Sequence, residues 1–326
     1  MITPTEFQAH LNGYDVIGCA VRSRDVLCFV SQEDYTKRAD WRGGEAHEDV
    51  KQRFIPYVEA RPEGRRWSAA ELTGFDGAVT GFCPTPPKPH AVAVSASGAV
   101  YVTGSGESYM ERIDSAVDAG PKRGAILKLR TIGAHLYACG NARTVCRREG
   151  RGCWSELRSS VPEARPYERE GFDDLDGFSE DDIYAVGGDG DVWRFDGRTW
   201  QRCGFPSNLP LSAVCCAGDG SVYVGGLLGT LFKGREGRWT RIQEGELSLP
   251  FKDLVWYDGR VWGTNDYGLW TIEGDRCKPA AVGPEIAVCA GHLSTRDGVL
   301  LVAGRGGAAF HRDGQWHVLF HSFASP

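Results

Sequence analysis

Histidines and carboxylates are the groups in this sequence with the chemistry to bind a metal or move protons. The only local concentration among the eight histidines is His311, His317 and His321, near the C-terminus. His317 and His321 lie four residues apart on one predicted strand, which separates them by roughly 13 Å, too far to share a metal ion. No nucleophile elbow, zinc-binding helix motif, phosphate-binding loop or dinucleotide motif occurs. The sequence therefore contains no recognised catalytic signature.

Carboxylates concentrate in the stretch from Asp173 to Asp191. Converging carboxylate oxygens can hold a hard cation such as Ca²⁺, but this spacing matches no calcium loop. A local excess of negative charge also attracts a basic partner. We therefore expect no cofactor, keep a divalent cation as the weaker alternative, and favour a basic protein partner.

Length, charge and cysteine content restrict the function classes. The 326 residues carry 37 Lys and Arg against 43 Asp and Glu, a net charge of −6, which lacks the cationic surplus that nucleic-acid binding requires. No run of 18 apolar residues occurs, and the first residues lack the basic and apolar segments of a signal, so we expect neither a membrane span nor a signal sequence. The 11 cysteines form no C-x-x-C pair and suit reduced, buried thiols. We expect a cytoplasmic monomer with neither a nucleic-acid nor a membrane partner.

An internal repeat of 39 residues runs through the second half of the chain. That interval separates successive members of two sets: Tyr184, Tyr223, Trp262 and Leu301, and Gly190, Gly229, Gly268 and Gly307. Asp-Gly and Glu-Gly pairs between the apolar runs supply the positive-φ residues that tight hairpins need. Each copy therefore predicts a meander of four antiparallel strands, and repetition of such a unit is typical of a β-propeller.

We predict an all-β fold, a single β-propeller domain over residues 1–326 built from four-stranded antiparallel blades. Seven blades are expected. Six blades are the alternative, because the unit from His90 to about Lys122 has no Trp on its fourth strand. In that unit, Ala99–Gly104 is the predicted second strand. The first blade has a predicted insertion, 31–66, in which His47–Phe54 suits two helical turns. The predicted blades are 15–75, 82–124, 125–165, 170–210, 211–250, 251–285 and 286–322.

The fourth copy resembles a known type of propeller repeat. Tyr184-Ala-Val-Gly-Gly followed by Trp193-Arg-Phe-Asp-Gly-Arg-Thr-Trp200 resembles kelch-type repeats. It resembles still more the "yavG-x-x-G-x-l-x-r-x-D-G-x-x-W" propeller repeats of bacterial proteins with varied roles. The third copy departs from the pattern, because Arg143 replaces the later Gly. The resemblance covers nearly the whole chain and implies a fold rather than a function.

In propellers of this kind, the loops between second and third strands open on the face that usually binds ligands. In this sequence those loops contain Asn141, Arg143, Asp189, Asp191, Asp266, Tyr267 and Arg305. The insertion adds Tyr35, Trp41 and Phe54, aromatic residues of the kind that protein interfaces use. We predict that these ten residues bind the partner, although Asp and Asn also suit plain turns.

The leading functional hypothesis is a non-enzymatic scaffold that binds a protein, as an immunity protein does when it neutralises a toxin. The first alternative is a metal-dependent enzyme acting in the central channel through His90, Asp174, Asp253 and His292, an arrangement that resembles propeller lyases and lactonases. The second alternative is sugar or small-ligand recognition at the mouth.

Overall fold

The computed structural model describes residues 1–37, 50–84, 89–113, 124–157, 171–243, 247 and 249–322. Within these ranges, 28 strands form seven separate sheets, each of four antiparallel strands. The prediction of an all-β, seven-bladed propeller is confirmed, and the six-bladed alternative is wrong. No helix in the described ranges is long and apolar enough to cross a membrane.

The first three blades are formed by the strands β1 to β12. Blade 1 contains β1 (Tyr14–Ser23), β2 (Val26–Glu33), β3 (Gln52–Val58) and β4 (Ala70–Glu71). Blade 2 contains β5 (Val79–Cys83), β6 (His90–Val94), β7 (Ala99–Gly104) and β8 (Glu107–Arg112). Blade 3 contains β9 (Ile126–Ile132), β10 (His135–Gly140), β11 (Thr144–Gly150) and β12 (Cys153–Glu156).

The remaining four blades contain the 39-residue repeat. Blade 4 contains β13 (Asp174–Ser179), β14 (Asp182–Gly187), β15 (Asp191–Phe195) and β16 (Trp200–Arg202). Blade 5 contains β17 (Leu211–Cys216), β18 (Val222–Gly226), β19 (Leu231–Arg235) and β20 (Arg238–Gln243). Blade 6 contains β21 (Asp253–Tyr257), β22 (Arg260–Asn265), β23 (Gly268–Glu273) and β24 (Arg276–Pro279). Blade 7 contains β25 (His292–Arg296), β26 (Val299–Gly304), β27 (Gly307–Arg312) and β28 (Gln315–His321).

Short helical segments lie outside the blades. They are α1 (Pro4–His10), α2 (Pro284–Ala287) and single 3-10 turns at Tyr35–Lys37 and Leu227–Gly229. A capping box starts α1, in which Thr3 and Glu6 exchange hydrogen bonds between side chain and backbone.

Turn chemistry and burial explain why the repeat forms blades. Asp258 (φ 50°) and Gly259 (φ 75°) are consecutive positive-φ residues, the conformation that joins two strands in a tight hairpin. The repeated aromatics Tyr184 and Tyr223 are fully buried, and each packs in a cluster with residues of the following blade. The first strand of every blade contacts the first strands of its neighbours, so seven inner strands surround a channel.

Blades 1 and 2 differ from the prediction. Part of the predicted insertion is β3, so the helix expected over His47–Phe54 is wrong for the described residues from Gln52 onward. Phe54 pairs with Val30 of β2, and its side chain is buried in the core. In blade 2, Ala99–Gly104 is the third strand rather than the second, because Val79–Cys83 and His90–Val94 precede it.

The ring closes without exchanging a strand between its first and last blades. Side chains pack across this seam: the ring of Phe320 lies 6.1 Å from Phe29 and 5.6 Å from Trp67. α1 covers the same seam, because the ring of Phe7 lies tilted 6.4 Å from that of Phe320 and the Ile2 backbone N–H donates to the Leu319 carbonyl at 2.8 Å. Blades 1 and 7 therefore share one buried hydrophobic cluster that contains these aromatic rings.

Replacing Phe320 by Ala should destabilise the ring by about 3 to 5 kcal/mol, because it leaves a cavity within this cluster. Chemical denaturation followed by tryptophan fluorescence measures the change. Met110→Ala is the control: Met110 is 57% exposed, and its loss should change stability by less than about 0.5 kcal/mol. Equal stability of Phe320→Ala and the wild type would contradict a seam held by this cluster.

Candidate functional site

Ion pairs cross the channel near one of its mouths. Lys128 and Arg130 lie two residues apart on β9, so both side chains project to the same side of the strand. Arg130 donates from Nε to Asp174 Oδ1 at 3.1 Å and from Nη2 to Asp174 Oδ2 at 2.9 Å. Its Nη2 also lies 3.3 Å from Asp253 Oδ1, and Lys128 Nζ donates to the same carboxylate. Blade 3 is thereby tied to blade 6 across the channel.

The same carboxylates also join neighbouring blades. Asp174 Oδ2 accepts the Val214 backbone N–H of blade 5 at 3.1 Å, and Asp253 Oδ2 accepts the Leu293 N–H of blade 7 at 3.1 Å. Asp176 Oδ2 accepts the Cys216 N–H in the same way at 2.8 Å. Each carboxylate therefore bonds to the first strand of the next blade, 40 residues along the chain.

Electrostatics keep this network ionised. Burial opposes the charge on Asp253, but Lys128, His292 and Arg130 more than offset it and hold the carboxyl pKa well below its usual range. Burial also opposes the charge on Arg130, and Asp174 and Asp253 reverse that effect and raise the pKa of the guanidinium. The attraction between opposite charges in this network thus offsets the free-energy cost of removing them from water.

Three of the four predicted channel residues converge. His292 Nδ1 lies 3.4 Å from Asp253 Oδ2, on the same network as Asp174. His90 does not join them, because it lies on the second strand of blade 2, where its Nε2 lies 3.0 Å from Glu107 Oε1. Among the described residues, no group of three His, Cys, Asp or Glu side chains is placed to hold a metal ion.

The prediction missed Lys128, Arg130 and Asp176, which line the same channel cavity of about 340 Å³. The sequence did contain a signal for this network. Lys128 and Arg130 are two cations at alternate positions of an inner strand, and buried cations require carboxylates opposite them. Burial raises the pKa of Asp176 to about 6, although Arg130 and backbone N–H groups act to lower it. Asp176 is therefore harder to ionise than an ordinary aspartate.

Three of the ten predicted partner-binding residues are buried. Arg143 donates from Nε to Asp191 Oδ2 at 2.6 Å, and Trp193 donates to the other oxygen of Asp191 at 2.8 Å. Both residues of this pair are buried, and each charge is the partner that the other needs away from water. The pair therefore joins blades 3 and 4 and does not face solvent. Phe54 is only 1% exposed. The side chains of Arg143, Asp191 and Phe54 therefore lie inside the fold, not on the surface where the prediction placed them.

The other predicted partner-binding residues have different settings. Tyr35 is half-buried in a 3-10 turn, and Trp41 lies outside the described residues. Five are exposed in the predicted loops: Asn141, Asp189, Asp266, Tyr267 and Arg305. Arg305 Nη2 pairs with Asp15 Oδ2 at 2.8 Å, and Asp266 Oδ1 lies 2.5 Å from Lys252 Nζ.

Sequence reasoning missed apolar residues in these loops. Leu228 occupies the position that Asp189 holds 39 residues earlier and Tyr267 holds 39 residues later, and Leu227 precedes it. Both leucines are exposed, as is Val288 after α2. Leucine at a solvent-exposed turn position breaks the usual polar pattern of loops, and this was the signal available in the sequence.

Comparison with known proteins identifies a relative. No protein-family profile matches the chain. Immune protein Tsi7 of Pseudomonas aeruginosa is 36% identical over 215 residues, which cover 66% of this chain and 70% of Tsi7. This chain belongs to the family of immune protein Tsi7.

Solved structures share the propeller fold with this member of the Tsi7 family. A puromycin-hydrolyzing peptidase of Mycobacterium tuberculosis superposes with a TM-score of 0.61 at 13% identity, over 96% of this chain and 53% of the peptidase. Sqt1 of Saccharomyces cerevisiae gives a TM-score of 0.59 at 12% identity, over 94% of this chain and 86% of Sqt1. At such identities these likenesses show the fold alone.

Asp253→Asn should destabilise this Tsi7-family propeller by about 3 kcal/mol near neutral pH, because Lys128 loses its buried counter-charge. The folded-state pKa of Asp253 lies below the ordinary value of 3.8, so its charge stabilises the fold above that pH. This stabilisation is lost as the pH falls below about 4. The stability difference between wild type and variant should therefore shrink from about pH 7 to about pH 3.

Denaturation at a series of pH values measures this difference. Asp275→Asn is the control, because the Asp275 side chain is 73% exposed, and its effect should stay within about 0.5 kcal/mol. A difference between Asp253→Asn and wild type that did not change with pH would show that the charge of Asp253 contributes nothing.

Proposed function

We propose that this chain is an immunity protein that binds a protein toxin and neutralises it without catalysing a reaction. The observation that carries the proposal is its kinship with immune protein Tsi7. A seven-bladed ring suits the role, because short loops on a rigid scaffold present a preformed surface to a partner.

The channel geometry supports binding rather than catalysis. Both oxygens of Asp174 and of Asp253 already accept hydrogen bonds from cations and backbone N–H groups. A general acid or base needs an oxygen within reach of substrate, and here each oxygen holds the blades together. The role of these carboxylates is therefore to connect the blades of the ring.

We further propose that the toxin is basic, and that the chain acts as a cytoplasmic monomer without a cofactor. The net charge of −6 supports a basic partner, since opposite charge speeds association. The packing of blade 1 on blade 7 supports a monomer, because the ring closes within one chain. Trp193 and Trp200, on adjacent strands of blade 4, support a kelch-like bacterial repeat.

Capture and protection together test the proposal. The full-length chain, tagged and expressed in cells of its source organism, should retain one stoichiometric protein, which mass spectrometry then identifies. Expression of that protein in a bacterial host should stop growth, and co-expression of the chain should restore it. A captured protein that is harmless to the host, or no captured protein, would overturn the proposal.

His292→Ala separates binding from channel catalysis. His292 contacts Asp253 at the channel mouth, and its removal leaves the Leu293 N–H bond to Asp253 in place. If protection comes from binding, the variant should protect the host as well as the wild type, as measured by colony counts under toxin expression. Loss of protection by a folded variant that still binds the toxin would favour the enzyme alternative.

A further inference from the structure

Large apolar side chains are exposed together on one face of the propeller. Four of them form what we call the mouth patch: Leu227 (38% exposed), Leu228 (45%), Tyr267 (82%) and Val288 (39%). In the described part of the chain, the other exposed large apolar residues are Met1, at the terminus, and Met110, on the outer strand β8. Such clustering marks a surface for binding another molecule.

The mouth patch lies along three consecutive blades. Leu227 and Leu228 form the turn between β18 and β19 of blade 5, and Tyr267 lies in the turn between β22 and β23 of blade 6. Val288 follows α2 in the connection from blade 6 to blade 7. In an antiparallel meander these turns and connections lie at the same end of the strands, so the four side chains share one face.

Backbone hydrogen bonds hold the mouth patch in place. Leu228 has φ 54°, and its carbonyl accepts the Leu247 N–H at 3.1 Å, while the Leu227 carbonyl accepts the Thr230 N–H at 3.1 Å. The Tyr267 N–H donates to the side chain of buried Asn265 at 2.9 Å. A rigid apolar surface loses little entropy on binding, which favours its use as an interface.

The charges beside the mouth patch that have no ion-pair partner in the described residues are negative. Asp189, in the equivalent turn of blade 4, and Glu285, on α2, are exposed and have no ion pair within the described residues. The cations in the neighbouring loops are neutralised, because Arg305 pairs with Asp15 and Lys252 pairs with Asp266. The uncompensated carboxylates favour a partner with cationic groups around an apolar centre.

We propose that the mouth patch is the surface on which the toxin docks, and that the toxin presents apolar side chains flanked by Lys or Arg. This inference rests on the proposed immunity function. Tyr267 is the central anchor, since a large exposed aromatic on a rigid turn buries the most area on binding. Asp189 and Glu285 steer the approach of the cationic rim.

Matched variants test the docking surface, with the captured and purified toxin as the probe in titration calorimetry. Tyr267→Ala should weaken the affinity at least about thirty-fold, the loss expected of an interface anchor. Leu228→Asn should also weaken it, because Asn tolerates the left-handed backbone but removes the apolar side chain. Met110→Ala is the control for an exposed apolar residue elsewhere and should leave the affinity unchanged.

Asp189→Asn with Glu285→Gln should slow association several-fold and reduce its dependence on salt. Asp181→Asn is the matched control, because Asp181 is exposed in the turn between β13 and β14 at the opposite end of the strands. Hydrogen exchange of the complex should show protection at 227–229, 266–268 and 284–288.

The outcomes distinguish this inference from the proposed function. If folded Tyr267→Ala and Leu228→Asn bind the toxin as tightly as the wild type, the mouth patch is not the docking surface, while the immunity function stands. If exchange protection falls on the opposite face, the inference is likewise overturned. If no toxin is captured, or the captured protein is harmless, the immunity function fails and the inference fails with it.

Discussion

A blade of this protein buries its two faces only against the neighbouring blades, so the fold depends on closing the ring. Closure relies on side-chain packing at the seam between blades 1 and 7, because no strand is shared between them. Phe320, Phe29 and Trp67 provide that packing, and α1 extends it through Phe7. Blades 1 and 7 therefore meet in one core, and the stability of both depends on this joint.

A second constraint on the closed ring is that the charges on its inner strands must be neutralised within the channel. Asp174 and Asp253 bond to backbone N–H groups of the next blades, and such buried carboxylates require counter-charges. Arg130 and Lys128 supply these from the opposite wall. In another propeller, such residues could bind the metal of an enzyme. In this protein they connect blades. A pair of carboxylates and a histidine in a channel is therefore insufficient evidence of catalysis until the remaining partners of each oxygen are known.

The repeat in blades 4 to 7 was readable from the sequence because each turn requires glycine at a fixed position and each inner surface requires apolar residues. The third strand of blade 1 was not, because β3 follows a long connection, and the spacing of Val50 and Phe54 suits a helix as well as a strand. The site was less predictable than the fold. Arg130 and Asp253 are 123 residues apart, and the Arg143–Asp191 pair joins two blades. Such pairings depend on the closed ring, which residue spacing alone does not reveal.

Turn positions between second and third strands are where this scaffold has freedom to vary. Asp189, Leu228 and Tyr267 occupy the same position of the repeat in three successive blades, so the fold accepts side chains of different chemistry there. At Leu228 the choice even opposes local stability, because a left-handed backbone costs a non-glycine residue about 1 kcal/mol, while 45% of the residue stays exposed. Gly or Asn would adopt this backbone conformation at a lower cost. The chemistry of Leu228 therefore makes sense in contact with another molecule, on the face where Tyr267 and Val288 are exposed beside it.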